Sequence, residues 1–314
     1  MTNHHVSGKL KISLNEIDLE NRYYKLSRNL TDEKLKRSIS ACGIIEPPVL
    51  LERNNRYIII TGHNRISAAA GLGIQSIDST VIKQLDYDIL ANCAVIKCYR
   101  NEIGPVGRAR LIIIIRKDFN PEKESMLKLA RDIELPAEFI NDPVLPDRIL
   151  NLPDGLKDYL DYKDISIKTI KNILRLPDES IIKLNEWVSG ITLRANIFKN
   201  IIEYLIDIYK KNKSLELISE IDLSSIDDRR LRETYLHDRI FKLRYPQYSD
   251  RKEKSDGIIK YFNSMGFKIE SPQYFEGEDI ALRFLINKRD DLCLLGERLK
   301  NINMDDIKKL LELL

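Results

Sequence analysis

Residues 57–74 read YIIITGHNRISAAAGLGI, and the change of period inside them decides the fold around them. Tyr57–Ile60 is a β-rich run that ends in Thr61-Gly62, and HNRISAAAGLG reads as a helix opened by Gly62 and closed near Gly71 or Gly73. A strand that ends in Thr-Gly with a helix starting at once brings unpaired backbone N–H groups and the positive end of a helix dipole to one point. Such a point attracts anions. Arg65 lies in the first helical turn, where its guanidinium could clamp a phosphate oxygen bidentately, while Thr61 or His63 could donate another hydrogen bond. The same residues also fit a plain glycine-started helix whose Arg65 makes a surface ion pair.

Working outward, PPVLLERNNRYIIITG places two short β-rich runs around RNNR, a hairpin signal. Before it, TDEKLKRSISACG reads as a helix capped by Thr31, with Leu35 and Ile39 on one face and a stop at Gly43. LKISLNEIDL alternates like a strand, and SIDSTVI is a strand after the glycine turn. Residues 8–100 are therefore expected to form a compact α+β domain. Over residues 101–213 strand signals vanish, and Pro146, Pro153 and Pro177 cut the pattern into short helices before TLRANIFKNIIEYLIDIYKKN, one long amphipathic helix. Residues 214–314 begin with a polar linker, KSLELISEIDLSSIDDRR. They end in a helix, strand, turn, strand, helix order with ALRFLI as the firmest strand, which implies a small α+β unit.

The net charge is only +3, so any nucleic-acid affinity has to come from a local patch. The most basic stretch, residues 229–254, sets nine Lys or Arg against four acidic residues and interleaves Tyr235, Phe241, Tyr245 and Tyr248. Arg229, Arg230, Arg232, Arg239, Lys242 and Arg244 are its candidate DNA contacts. A solvated helix whose aromatics pack inward fits the same pattern. LPAEFINDPVLPDRILNLP sets Glu138, Asp142 and Asp147 against Arg148 and is broken by Pro143 and Pro146, so it reads as architecture at least as well as a base-reading helix. Cys42, Cys93, Cys98 and Cys293 are too scattered for a disulfide framework or a zinc site, so reduced thiols and no metal site are expected. LIIIIRK is far shorter than the roughly 20 apolar residues of a membrane span. MTNHHVSGKLKISLNEI carries no leader pattern, and a soluble, cytoplasmic chain with no membrane contact is expected.

The glycine turn, the alanine-rich helix and AGLGIQSIDSTVI together resemble the core of ParB-type partition proteins, whose motif runs GERRxRAA, then AGL, then a VPVIV-like strand. LTDEKLKRSISACGIIEPPVLLE is similar to the family's leucine-rich helix, glycine and xPPV segment, and IDLENRYYK stands in the place of its NPxQPR box. YRNEIGPVGRARLI and the run from LKLARDI to RLPDE resemble its later segments, and the likeness covers residues 8–195. It implies an α+β N-terminal ParB/sulfiredoxin-like domain that binds CTP, an all-α helix-turn-helix-like middle domain and a role with DNA in chromosome or plasmid partition or in regulation. A homodimer driven by nucleotide and a partner ATPase belong to the same implication.

Residue by residue, Gly62, Arg65 and Ala68 match the GERRxRA motif and Arg100 matches the arginine of the later ENLQR box. Thr61, His63 and Asn64 are placed with them at the triphosphate, and Arg22, Lys25 and Arg28 close over it from the upstream box. His63, Asn64, Ser67, Ile96 and Lys97 depart from the motifs. The carboxylate and amide thus lost help to hold a metal ion, which implies weak or absent CTP hydrolysis and leaves magnesium open. Sulfiredoxins share the turn but need a cysteine where His63 stands. Free-serine kinases resemble it through a GHHR-type turn, with ATP or ADP as nucleotide and Glu20 or Glu16 as base. A catalytically inert adaptor that keeps only the fold is the third reading.

Overall fold

The computed structural model describes residues 6–28, 33–190, 193–270, 272, 275, 277, 279–286 and 289–313. The chain divides into two compact units, Met1–Ile206 and Asp207–Leu314. The first unit begins with a sheet of β1 (Val6–Ser13), β2 (Val49–Arg53), β3 (Arg56–Thr61) and β4 (Ser76–Ile82) in the order β1-β4-β2-β3. β2 and β3 form the expected hairpin, turned by Asn54 and Asn55 at φ 52° and 60°. Asparagine tolerates that left-handed region, and two such residues match the twist of the flanking strands. β4 runs antiparallel to β1 and parallel to β2.

The period of two along the strands loads both faces of the sheet. Leu50, Ile59, Ile77 and Val81 pack on one side with Ile12 and with Ile66 and Ala69 of α2 (His63–Gly71). Leu51, Ile60 and Ile82 pack on the other with Tyr24, Leu85 and Ile89. Each such buried branched side chain stabilises the fold by roughly 1.5–3 kcal/mol, so a sheet covered on both faces is a firm base for what lies at its edge. α1 (Glu33–Cys42) ends at Gly43 as expected, while the proposed cap Thr31 lies outside the described residues.

From residue 87 onward this unit is helical: α3 (Tyr87–Tyr99), α4 (Pro105–Asp118), α5 (Lys123–Asp132), α6 (Ala137–Asn141), α7 (Leu145–Leu150), α8 (Asp154–Tyr162), α9 (Ile167–Ile173), α10 (Asp178–Gly190) and α11 (Ala195–Asn212), which runs on into the second unit. The prolines work as starts: Pro146 sits in the first turn of α7, Pro153 caps α8 and Pro177 directly precedes α10. The second unit contains α12 (Arg229–Arg244), α13 (Pro246–Ser264), β5 (Phe267–Glu270), β6 (Ala281–Phe284), α14 (Arg289–Lys300) and α15 (Met304–Glu312). Phe262, Phe267, Ile269 and Leu310 form its core. The helix, strand, strand, helix order matches the sequence reading, with β6 inside ALRFLI. No described helix is long and apolar enough to cross a membrane.

The start of α4 fixes the segment before α1. Asp161 of α8 accepts from the Val106 backbone N–H at 2.7 Å, capping α4, and the Arg110 guanidinium donates to the Lys25 carbonyl at 2.8 Å. Gly107 lets the Leu26 carbonyl lie against the helix, because a Cβ there would collide with that oxygen and with Ile103. Gly107→Ala is therefore expected to lower stability by about 1–3 kcal/mol, as overpacked sites do. Urea unfolding measures this, and an unchanged midpoint would contradict the close approach.

Candidate anion-binding site

Gly62 joins β3 to α2 with φ 97° and caps the helix. A side chain there would be strained by the left-handed backbone and blocked by Pro48, whose Cβ lies 2.6 Å from where a glycine Cβ would sit. Thr61 closes β3 opposite Val49, half-buried, so the strand end, the Pro47-Pro48 segment and the helix N-terminus form one rigid corner.

His63, the first helical residue, is buried at 7% exposure, and its Nε2 has no hydrogen-bond partner. Burial, then the charges of Lys25, Lys97, Arg22 and Arg110, lower its pKa from 6.5 to about 3. The imidazole is neutral at physiological pH, and in the tautomer protonated at Nε2 it can donate one hydrogen bond. Lys97 is equally buried, with its ammonium 3.3 Å from Glu102 Oε2 and 3.4 Å from Ser27 Oγ. Arg22, Lys25 and Arg110 also line a cavity of 340 Å³ with Lys157, Ser27 and the carboxylates Asp154, Asp158 and Asp161. Burial and the neighbouring arginines lower the Lys25 pKa, and burial raises that of Asp161 to about 6.

The outer side of the corner is built on Glu46. Its carboxylate meets Arg100 at 2.8 Å and 3.0 Å and Arg65 at 3.2 Å, and Arg65 also donates to the Glu46 carbonyl. The hydrogen bond from Arg100, followed by the charge of Arg65, holds the Glu46 pKa below its usual value. The ion pair that one reading of Arg65 anticipated is thus present, with Arg100 added to it. The Asn64 amide donates to the Arg28 carbonyl at 3.1 Å, tying α2 to the upstream segment. The Arg28 side chain reaches Asp164 at 3.5 Å.

The fold therefore gathers Gly62, His63, Asn64 and Arg65 with Arg100, Arg22, Lys25 and Arg28 around one helix start. Sequence reasoning did not place Glu46, Arg110 or Lys97 beside these residues, where the structure has them. Glu46 stands just before the Pro-Pro pair that packs on Gly62, which was the available signal. Of the kinase-base candidates, Glu16 accepts from the Ser13 backbone N–H at 3.1 Å in a capping box, and Glu20 is exposed.

Elsewhere, Asp142 caps α7 through the Val144 and Leu145 N–H groups, and Arg148 is bound to the Leu174 carbonyl, so these charges serve the helix junction. On α12, Arg232 holds the Ile226 carbonyl, Arg244 pairs with Asp207 at 3.1 Å and Lys242 with Glu253 at 3.5 Å. Arg229, Arg230 and Arg239 are exposed. Phe241 packs on Tyr245 and Tyr248 at ring distances of 5.0 Å and 5.9 Å. Cys42, Cys93 and Cys98 are free thiols.

Residues 3–98 match the model of the ParB N-terminal domain family. The chain is 28% identical over 173 residues to the Probable chromosome-partitioning protein ParB of Borreliella burgdorferi, a match that covers 53% of this chain and 62% of that protein's length. Two solved structures of C-terminally truncated ParB from Caulobacter crescentus are similar in part. The one complexed to the centromeric parS site is 17% identical, covers 62% of this chain and 98% of that chain, and has a TM-score of 0.31. The one complexed with CTP-gamma-S is 18% identical, covers 58% and 99%, and has a TM-score of 0.25. The family likeness is thus carried by residues 3–98, and the chain spans under two thirds of the length of the curated relative it matches.

Proposed function

We propose that the chain is a nucleotide-binding partition protein that takes the triphosphate of CTP at the start of α2 and acts on DNA. The observation that carries this reading is the buried, unpartnered His63 Nε2 at a glycine-capped helix N-terminus, on which the charges of Lys25, Lys97, Arg22 and Arg110 act. A desolvated donor among cations has no use in the free protein and suits a polyanion. The backbone N–H groups of the first turn and His63 would hold phosphate oxygens, the inner cations would balance their charge, and Arg65 and Arg100 would exchange Glu46 for phosphate. The bound nucleotide would supply a polyanion that draws these elements together, which favours self-association of the N-terminal domain into a homodimer. The match of residues 3–98 to the ParB N-terminal domain supports the same reading. For DNA, the exposed Arg229, Arg230 and Arg239 of α12 are the contacts proposed.

CTP at about 100 times its Kd is expected to stabilise the protein by roughly 2.7 kcal/mol in a thermal-shift assay against ATP and ADP. Arg65→Ala should remove the shift, and Glu46→Gln, which releases Arg65 and Arg100, should enlarge it; no shift with any nucleotide would sink the proposal. His63 tests the buried environment. The unfolded chain protonates it below pH 6.5 and the folded chain only near 3, so its contribution is fully present above 6.5 and is lost as pH falls. The loss is about 2 kcal/mol by pH 5, and His63→Gln should remove that part of the acid sensitivity in urea unfolding at pH 7 and pH 5. Equal acid sensitivity in the variant would show an ordinary histidine. DNA binding should fall steeply between about 50 and 200 mM salt and be lost when Arg229, Arg230 and Arg239 are all changed to Ala. Retention in that triple variant would move the contact away from α12.

A further inference from the structure

A nucleotide triphosphate ordinarily enters a protein with magnesium, and magnesium at such sites is held by one or two carboxylates besides the phosphates. In the free protein the carboxylates around α2 are committed, and among them Glu46 alone is released when Arg65 and Arg100 turn to phosphate. Glu46 is bound by Arg65 and Arg100, Glu102 by Lys97, and Asp154 by Lys157 at 2.8 Å. Asp161 receives the Val106 N–H, and Asp158 acts on the Lys25 ammonium. No group of three His, Cys, Asp or Glu residues that could hold a metal ion occurs among the described residues. The donor set does not fit a divalent cation.

What stands there instead is positive charge. Lys97 is buried at 7% exposure with a single carboxylate partner, and its charge reaches His63 together with those of Lys25, Arg22 and Arg110. Burying an ammonium carries a desolvation cost that one carboxylate and one hydroxyl offset only in part. A bound polyanion offsets the remainder, whereas a metal ion brought beside the same cations would add to it.

Resting on the nucleotide-binding reading above, we infer that this site holds its triphosphate without a divalent metal, with Lys97, Lys25, Arg22 and Arg110 supplying the charge a metal ion would bring. Isothermal titration of the full chain with CTP, and with inorganic triphosphate as a phosphate-only probe, tests this in EDTA and in millimolar magnesium chloride. The Kd of each ligand in EDTA is expected to be equal to or tighter than in magnesium. Lys97→Met, close in shape and able to fill the buried position, should weaken binding in EDTA about tenfold or more. The wild-type titrations decide the metal question even if that variant does not fold. CTP binding that appears only with magnesium overturns the inference and leaves the nucleotide site standing. Absence of CTP binding in both solutions overturns both. Wild-type affinity of a folded Lys97→Met variant in EDTA removes Lys97 from the role assigned to it.

Discussion

At Gly62 the backbone turns through φ 97° with the Pro48 ring so near that a Cβ would lie 2.6 Å from the proline's own. Two constraints meet in that residue, a left-handed conformation and a steric limit, and only glycine meets both. The contact binds the end of β3 to the segment that leads into β2, and β2 is hydrogen-bonded to β3 and to β4. The first turn of α2 is therefore fixed to the whole sheet. Successive side chains leave that turn for different surroundings: His63 is buried within the electrostatic reach of Lys97, Lys25, Arg22 and Arg110, Asn64 goes to the Arg28 carbonyl and Arg65 to Glu46.

This divergence divides the site into two electrostatic layers of unequal weight. A pair of unit charges 4 Å apart interacts by about 1 kcal/mol in water and about 4 kcal/mol at an effective dielectric of 20. The outer layer, with Glu46 and Arg100 about half exposed, belongs near the first limit and is screened by salt. The inner layer, with His63 and Lys97 at 7% exposure, belongs nearer the second. On the proposed reading, the inner cations would govern how strongly an anion is held, while Glu46 would govern how readily the outer arginines can turn to it.

The parts of this arrangement legible in the sequence are those set by local rules. The alternation of Leu50 and Leu51, the Asn54-Asn55 turn and the strand, glycine, helix junction each follow from neighbours in the chain. Lys97 was legible only as a departure from a motif; that it is buried against Glu102 and Ser27 depends on where residues 22–28 run. Arg110 looks like one charge on an amphipathic helix until its guanidinium is seen to hold the Lys25 carbonyl. The Asn64 bond to the Arg28 carbonyl was not legible at all, since its place in the first turn says nothing of an acceptor 36 residues upstream.

The same cause explains why the site outruns the N-terminal domain. The family match ends at residue 98, but Arg100, Arg110 and Asp161 lie beyond it. Arg110 adds charge at His63 and holds residue 25, and Asp161 caps the helix that carries Arg110 while its carboxyl is pushed up to about 6 by burial. A carboxyl that stays desolvated in order to cap α4, and a glycine that admits the Leu26 carbonyl against it, fix the cation-bearing upstream segment to the helical part. Residues 3–98 by themselves contain the glycine turn and its dipole, without the Arg110 and Asp161 contacts that hold the segment of Lys25 and Leu26 against α4. The geometry around the turn is therefore a property of the whole first unit, set in part by helices that contribute no residue to the turn itself.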